Sequence, residues 1–301
     1  MHRISRRTFL ATAYKTASAS AAGAALWGNV ALLMANPLGL PIGLQLYSVR
    51  DLLPKDYEGT LRQLSALGYR EVEAAGFFGH SPGQVKQAMD QAGLHCVSAH
   101  YPLRDLSSKL DETIQFGKDL GLKYVVCSSP WLKDPSRVKD PGSGAARDAM
   151  TLDDWRWNAE QLNRIGESVN AAGIRFAYHN HTAEFRAENG VVFYDELLRT
   201  TDPAKVTMEM DCGWVVVGGK NPADYLIRYP MRFSMLHVKD FKDNKEPSVE
   251  LGTGSIDYVP IFAAAAATGR IKHAFVEQEE FQGPIMEALG VDAQYMKKHH
   301  A

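Results

Sequence analysis

The sequence predicts a single-domain α/β fold, a (β/α)8 TIM barrel, on three observations. From residue 41 onward, short apolar runs alternate with longer amphipathic segments, and eight such pairs fit in the chain. No Gly-rich dinucleotide fingerprint opens any of the helical segments, which weighs against the rival doubly wound sheet. Polar residues end the runs on one parity, as expected where a barrel gathers its chemistry at the carboxyl ends of its strands.

The elements follow in order. "PIGLQLYSVR" is the first strand run, and "YEGTLRQLSALG" is its helix, with apolar residues at helical spacing and a closing glycine. "YREVEAAGF" is the second run. "SPGQVKQAMDQAG" is its helix, opened by Ser81-Pro82 and closed by Gly93. "LHCVSAHYPL", "SKLDETIQFGKDLG" and "LKYVVCSSP" supply the third strand, its helix and the fourth strand. The connection "WLKDPSRVKDPGSGAARDAMT" is rich in Pro, Gly and charge and reads as a long loop, a lid or binding segment. "LDDWRWNAEQLNRIGESVNAAG" is a strong helix before the fifth run, "IRFAYHNH". The helix "VVFYDELLRT", the strand in "AKVTMEMDCGWV" and the helix "NPADYLIRYP" come next. "MRFSMLHVKDF" is the seventh run, "YVPIFAAAAATG" its helix, "IKHAFVEQEEF" the eighth run and "PIMEALGVDAQYMKK" the last helix.

The 301 residues are 45% hydrophobic with a formal net charge of −2, enough apolar material for a sizeable core. Without a basic excess the composition offers no nucleic-acid footprint. Cys96, Cys127 and Cys212 each sit in or beside apolar, strand-like runs and read as small buried residues rather than a disulfide framework. Nothing in the chain argues against a homo-oligomer.

Residues 1–35 have a different character. "SRRTFLATA" carries twin arginines, Arg6 and Arg7, before Phe9 and Leu10, and the Ala-rich "ASASAAGAALWGNVALLMA" follows. This resembles a twin-arginine export signal and predicts a mature barrel domain over 41–301, working in the periplasm or secreted. The stretch is long enough to span a membrane, but its Ser, Gly and Asn make it a poor permanent anchor, so no stable membrane insertion is expected.

The strand ends carry the chemistry. They present Gln45 and Tyr47, Glu73, Ser98 and His100, His179 and His181, Glu209 and Asp211, His237 and Lys239, and Glu277 and Glu279. Each has a bland explanation: a lone His can be hydrogen-bonded structure, and Glu73, Lys239 or Glu279 can be ordinary loop charges. Jointly they are harder to dismiss. Several carboxylates aimed at one cavity repel one another and resist burial, and a divalent cation removes that penalty. Asp211 and His237 end their strands; a Glu from the eighth run and a group from the fifth would complete the shell. Oxygens with imidazole suit Mn²⁺, Mg²⁺, Co²⁺ or Zn²⁺.

Five segments, "GLQLYSVRD" (43–51), "YHNHTAEF" (178–185), "EMDCGWV" (209–215), "LHVKD" (236–240) and "FVEQE" (275–279), together resemble the xylose isomerase-like barrel superfamily of sugar phosphate isomerases and epimerases. The similarity covers about residues 41 to 285. It implies a metal held by Glu, Asp, His and Glu from four strand ends. Asp211 and His237 match, as does Glu277, with Glu279 on the same face as an alternative. The first Glu is absent from its strand end, where His179-Asn180-His181 stands; Glu184 is the first choice for that ligand and His179 its rival.

The resemblance implies a metal-dependent isomerase or epimerase acting on a small-molecule sugar or keto-sugar through a metal-stabilised enediolate. The alternative is a lyase or dehydratase on a keto-sugar or inosose using the same enolate chemistry. Less favoured are a phosphodiesterase, against which the near-zero charge argues, and a non-catalytic sugar-binding protein. In this reading Glu277 or Glu279 and His179 or His181 move protons. Gln45, Tyr47, Glu73, His100 and Lys239 bind substrate, and Trp131 and Trp214 stack on the sugar ring.

Overall fold

The computed structural model describes residues 38–298. The export-signal reading falls on residues outside these. Among the described residues no helix is long and apolar enough to cross a membrane.

Eight parallel strands close a barrel: β1 (Ile42–Gln45), β2 (Glu71–Ala74), β3 (His95–Pro102), β4 (Tyr124–Ser129), β5 (Arg175–His179), β6 (Thr207–Asp211), β7 (Phe233–Val238) and β8 (His273–Val276). β8 pairs back onto β1 through Ile42 and Ala274, so the sheet has no free edge. One main helix follows each strand: α1 (Tyr57–Leu67), α2 (Pro82–Ala92), α3 (Leu110–Leu120), α4 (Leu152–Ala171), α5 (Phe193–Thr200), α6 (Pro222–Arg228), α7 (Tyr258–Thr268) and α8 (Ile285–Lys298). The alternation of apolar runs and amphipathic segments is thus the (β/α)8 barrel it predicts, and the doubly wound alternative is set aside.

Helix boundaries follow local chemistry. Ser81 and Gln84 form a capping box with Pro82 at the first turn of α2, and Thr151 and Asp154 form another on α4. Gly68, Gly93, Gly121 and Gly269 close α1, α2, α3 and α7 in left-handed geometry. Three further short helices, Leu103–Ser108, Gly144–Asp148 and Cys212–Val217, lie in the connections after β3, β4 and β6.

Two hydrophobic bodies result. A large one fills the space between strands and helices, including Leu44, Leu61, Leu64, Tyr69 and Trp155. A small one, Val97, Tyr124, Val126, Ala177, Met235 and Phe275, plugs the barrel interior. Strand alternation explains the stacking of layers. Along β8 and one residue past its end, His273, Phe275 and Glu277 share a parity. On β7, Met235 and His237 do, and on β5, Ala177 and His179. Each inward residue above the plug is therefore polar. Gly43 makes room for the plug: a Cβ there would meet the Phe275 ring at 2.5 Å.

Four of the strand runs are shorter than the residue pattern suggests. β1 ends at Gln45 and β8 at Val276, so Tyr47 stands on the 3-10 turn Leu46–Val49 and Glu277 and Glu279 on the loop after β8, as His181 does past β5 and Lys239 past β7. The segment 240–249 folds into a hairpin of Asp240–Lys242 with Lys245–Val249 above the barrel mouth. The long connection after β4 also bends back over the mouth through its short helix Gly144–Asp148.

Candidate active site and metal centre

A cavity of about 840 Å³ opens at the carboxyl ends of the strands. Of the residues singled out from sequence, Tyr47, His100, His179, His181, Trp214, Glu277 and Glu279 line it. Glu73, Asp211, His237 and Lys239 lie buried just beneath.

Local structure holds these side chains in place. Asn180 clamps the end of β6: its Oδ1 accepts from the Asp211 N–H at 3.1 Å and its Nδ2 donates to the Asp211 carbonyl at 3.2 Å. Asp211 Oδ1 accepts from the Trp214 N–H at 2.8 Å, capping the helix Cys212–Val217. Its Oδ2 is buried and makes no hydrogen bond, with the Lys239 ammonium 3.3 Å away. The Tyr258 hydroxyl accepts from the Lys239 N–H and donates to the Lys239 carbonyl, fixing the end of β7. Asp240 accepts from the N–H groups of Phe241, Gly252, Gly254 and Ile256 and so anchors the loop that follows the hairpin.

Two groups of ligand atoms result, each gathered within 4.8 Å: His179, Asp211, His237 and Glu277, and deeper in the barrel His100, His179, Glu209 and His237. His237 faces both. Its Nδ1 lies 3.0 Å from Glu277 and its Nε2 lies 2.8 Å from Glu73. The donor set of the first group, with Asp211 Oδ2 inside it making no hydrogen bond, fits a divalent cation.

Lys239 is fully buried among carboxylates, 2.5 Å from Glu279, 2.8 Å from Glu277 and 3.3 Å from Asp211. Burial opposes its charge, but Asp211, Glu277 and Glu279 outweigh burial and hold it well above the usual lysine range. Burial likewise pushes Glu277 up, yet Lys239 and His237 bring it well below the ordinary carboxylate value. Burial keeps the carboxyls of Glu279 and Asp211 raised. His179 and His181 are both held well below the usual histidine range, His179 by burial and His237, His181 by burial, Arg147 and Lys239. Both are therefore neutral imidazoles beside the cavity, and His181 Nδ1 has no partner.

Some expected residues are placed elsewhere. Glu184 joins neither metal group. Its Oε1 accepts from the Tyr178 hydroxyl at 2.7 Å and the His181 N–H at 3.1 Å, bracing the turn after β5. The residue that β5 brings to both groups is His179. Gln45 points at Glu73, donating at 2.7 Å, and accepts from the Tyr47 N–H; it does not line the cavity. Glu73 is fully buried, 2.7 Å from His100 and 2.8 Å from His237, and reaches the cavity only through them. Trp131 is also absent from the cavity wall: its backbone pairs with the Asn158 amide, and its ring lies 5.7 Å below Arg104.

Trp214 is on the wall, with the Lys239 ammonium 4.7 Å from its ring centre and an indole N–H that has no partner. Tyr47, 41% exposed, presents the other aromatic face, backed by Arg50 at 4.2 Å. The sequence shows Glu209 as the inward neighbour of Asp211 and carries no signal for its role. Glu209 lies 2.8 Å from His100 and 3.1 Å from His179. Arg147 and Asp148 line the cavity from the long connection, where only the unusual length of that segment signalled a binding element.

A family model described as "Xylose isomerase-like TIM barrel" matches residues 61–299. The inosose dehydratase of Geobacillus kaustophilus is 27% identical over 235 residues, covering 67% of this chain and 73% of that protein. The inosose dehydratase of Lacticaseibacillus casei is 24% identical over 253 residues, covering 74% of this chain and 82% of that one. A crystal structure of a sugar phosphate isomerase/epimerase from Parabacteroides distasonis superposes with a TM-score of 0.71 at 27% identity, over 85% of this chain and 97% of that one.

Proposed function

Because the chain belongs to the xylose isomerase-like TIM barrel family, we propose that it is a metal-dependent enzyme that isomerises or epimerises a sugar or keto-sugar. The observation that carries this reading is the presence of two unlike proton-handling groups on one cavity: the neutral, unpartnered His181 imidazole and the burial-raised Glu279 carboxyl. Lys239 and Trp214 lie between them, since the Lys239 ammonium touches Glu279 and the Trp214 ring neighbours His181 at 6.3 Å.

Asp211, His237, Glu277 and His179 would hold the cation. When bound, it polarises the substrate carbonyl and makes the adjacent C–H more acidic. The chain's own groups do the rest. Glu279 or His181 removes that proton, and the other returns one from its own side, which inverts a carbinol centre or moves the carbonyl. Lys239 and His100 hold substrate oxygens, and Trp214 and Tyr47 cover the sugar faces. The twin-arginine pattern of residues 5–13 supports a location outside the cytoplasm for this activity, which fractionation of cells carrying Arg6→Lys and Arg7→Lys would check.

The similarity to inosose dehydratases favours a second reading, in which the same proton abstraction is followed by loss of a neighbouring hydroxyl as water. One experiment separates the two. The metal-restored protein is incubated with a panel of keto-sugars and inososes in deuterated water and followed by NMR and mass spectrometry. Deuterium in a product of unchanged composition supports isomerisation, and loss of water supports dehydration. No exchange with any metal and any substrate in the panel overturns both.

A further inference from the structure

We propose that the deeper group, His100, Glu73, Glu209 and His237 with His179 alongside, is a second divalent-cation site, separate from the one at Asp211 and Glu277. Four atoms form a ring in which nitrogen and oxygen alternate. His100 Nε2 lies 2.7 Å from Glu73 Oε1 and 2.8 Å from Glu209 Oε2. His237 Nε2 lies 2.8 Å and 3.3 Å from the same two oxygens. Each ring nitrogen carries at most one hydrogen, so four close contacts share at most two. At least two edges of the ring must therefore share a hydrogen with a neighbouring edge or go without one. A cation at the centre satisfies all four edges together.

The size of the ring agrees. A square with such sides places its centre about 2 Å from each corner, the distance at which first-row divalent ions bind imidazole nitrogen and carboxylate oxygen. His179 Nδ1 offers a fifth donor, 3.1 Å from Glu209 Oε2. The remaining oxygens, Glu73 Oε2 and Glu209 Oε1, are buried with no hydrogen-bond partner, which leaves both carboxylates free to bind through either oxygen. Glu73, Glu209 and His237 are fully buried and His179 is 2% exposed, while His100 reaches the cavity and supplies an entry path. The imidazole-rich donor set selects borderline ions such as Zn²⁺ or Co²⁺ over Mg²⁺ or Ca²⁺.

His237 serves both sites, with Nε2 facing this group and Nδ1 facing Glu277. In the doubly loaded protein it bridges them after releasing its ring proton to solvent.

The full chain, stripped with chelator and reloaded with Co²⁺, is tested by elemental analysis and visible absorption. The expected result is two ions per chain, falling to one in His100→Gln and in Glu209→Gln, and to one in Asp211→Asn. A single ion that survives His100→Gln and Glu209→Gln but is lost in Asp211→Asn overturns the second site and leaves the proposed function standing. A single ion with the opposite pattern upholds this site and overturns the metal assignment of that function. Cadmium NMR of the unmodified protein gives a readout that does not depend on any variant folding: two resonances support the proposal, and one overturns the doubly loaded state.

Discussion

Lys239 Nζ lies 2.8 Å from the Glu277 carboxylate, with neither side chain having appreciable access to water. The contact joins the ends of β7 and β8 and puts a fixed positive charge beside two of the side chains assigned to the metal. Replacing Lys239 by Met removes that charge and leaves Asp211, Glu277 and Glu279 mutually repelling. The metal-free variant should lose roughly 3 to 5 kcal/mol of stability, the usual cost of stranding one side of a buried ion pair. Added divalent cation should recover more stability in this variant than in the wild type. Thermal melts with and without chelator check it; equal metal-induced shifts in both proteins would contradict the role given to Lys239.

His179 and Glu184 compete for the fifth-strand ligand, and the geometry favours His179. His179→Gln should weaken cation affinity by about 10- to 100-fold or more, a range typical even of losses beyond the ligands themselves. Glu184→Gln should leave affinity within a few-fold and act on stability, through the lost contacts to Tyr178 and the His181 backbone. Isothermal titration with Mn²⁺ or Co²⁺ distinguishes the two, and a larger loss in the Glu184 variant would restore it as ligand.

The metal-free protein should be most stable between the acid and alkaline flanks set by the deep cluster. Burial pushes His100 down, but Glu73 and Glu209 outweigh it and raise it to about 9. Its folded value exceeds the ordinary one, so its contribution is complete below about pH 6.5 and is lost as pH climbs through 9. Burial and the neighbouring Glu73 push Glu209 up, but His237, His100 and His179 outweigh them and lower it to about 2. That contribution is present above the ordinary carboxylate value of 4.5 and disappears as pH falls toward 2. Melting temperature measured against pH in chelator should fall on both flanks. His100→Gln should flatten the alkaline one.

The Asp240 carboxylate satisfies four backbone N–H groups of its own loop. Asp240→Ala strands them and should destabilise by roughly 2 to 4 kcal/mol. Hydrogen exchange should rise first at Gly252, Gly254 and Ile256. A uniform rise across the barrel would mean that the loop is not an independent unit.

Trp214→Ala should raise KM for the sugar about 10-fold while leaving metal content unchanged, because the ring lines the cavity but supplies no ligand atom. Loss of bound metal in this variant would show that Trp214 acts through Lys239 and Asp211 instead.

Much of the site was legible because strand periodicity is a local property. Inward parity above the apolar plug singles out Glu73, His100, His179, Glu209, Asp211 and His237 from the sequence alone. Asp211 and His237 are direct cross-strand neighbours in the register of β6 and β7. The order of strands and helices followed from apolar periodicity and caps such as Ser81-Pro82 and Gly93, which act within a few residues.

What only the tertiary structure decided depends on register and closure across distant segments. A register shift between Met208 and Glu209 sets how β6 meets β7, and Glu209 ends up opposite Met235 beside the imidazoles of β3 and β5. Pairing of β7 with β8 brings Glu277 to His237, while the turn after β5 draws Glu184 back onto Tyr178. Trp131 turned away for a similar reason, since Asn158 on α4 captures its backbone from 27 residues along the chain. Residue type and spacing show which side chains are able to do chemistry. Which of them share an atom's worth of space is set by packing between elements far apart in sequence, and no local pattern encodes that distance.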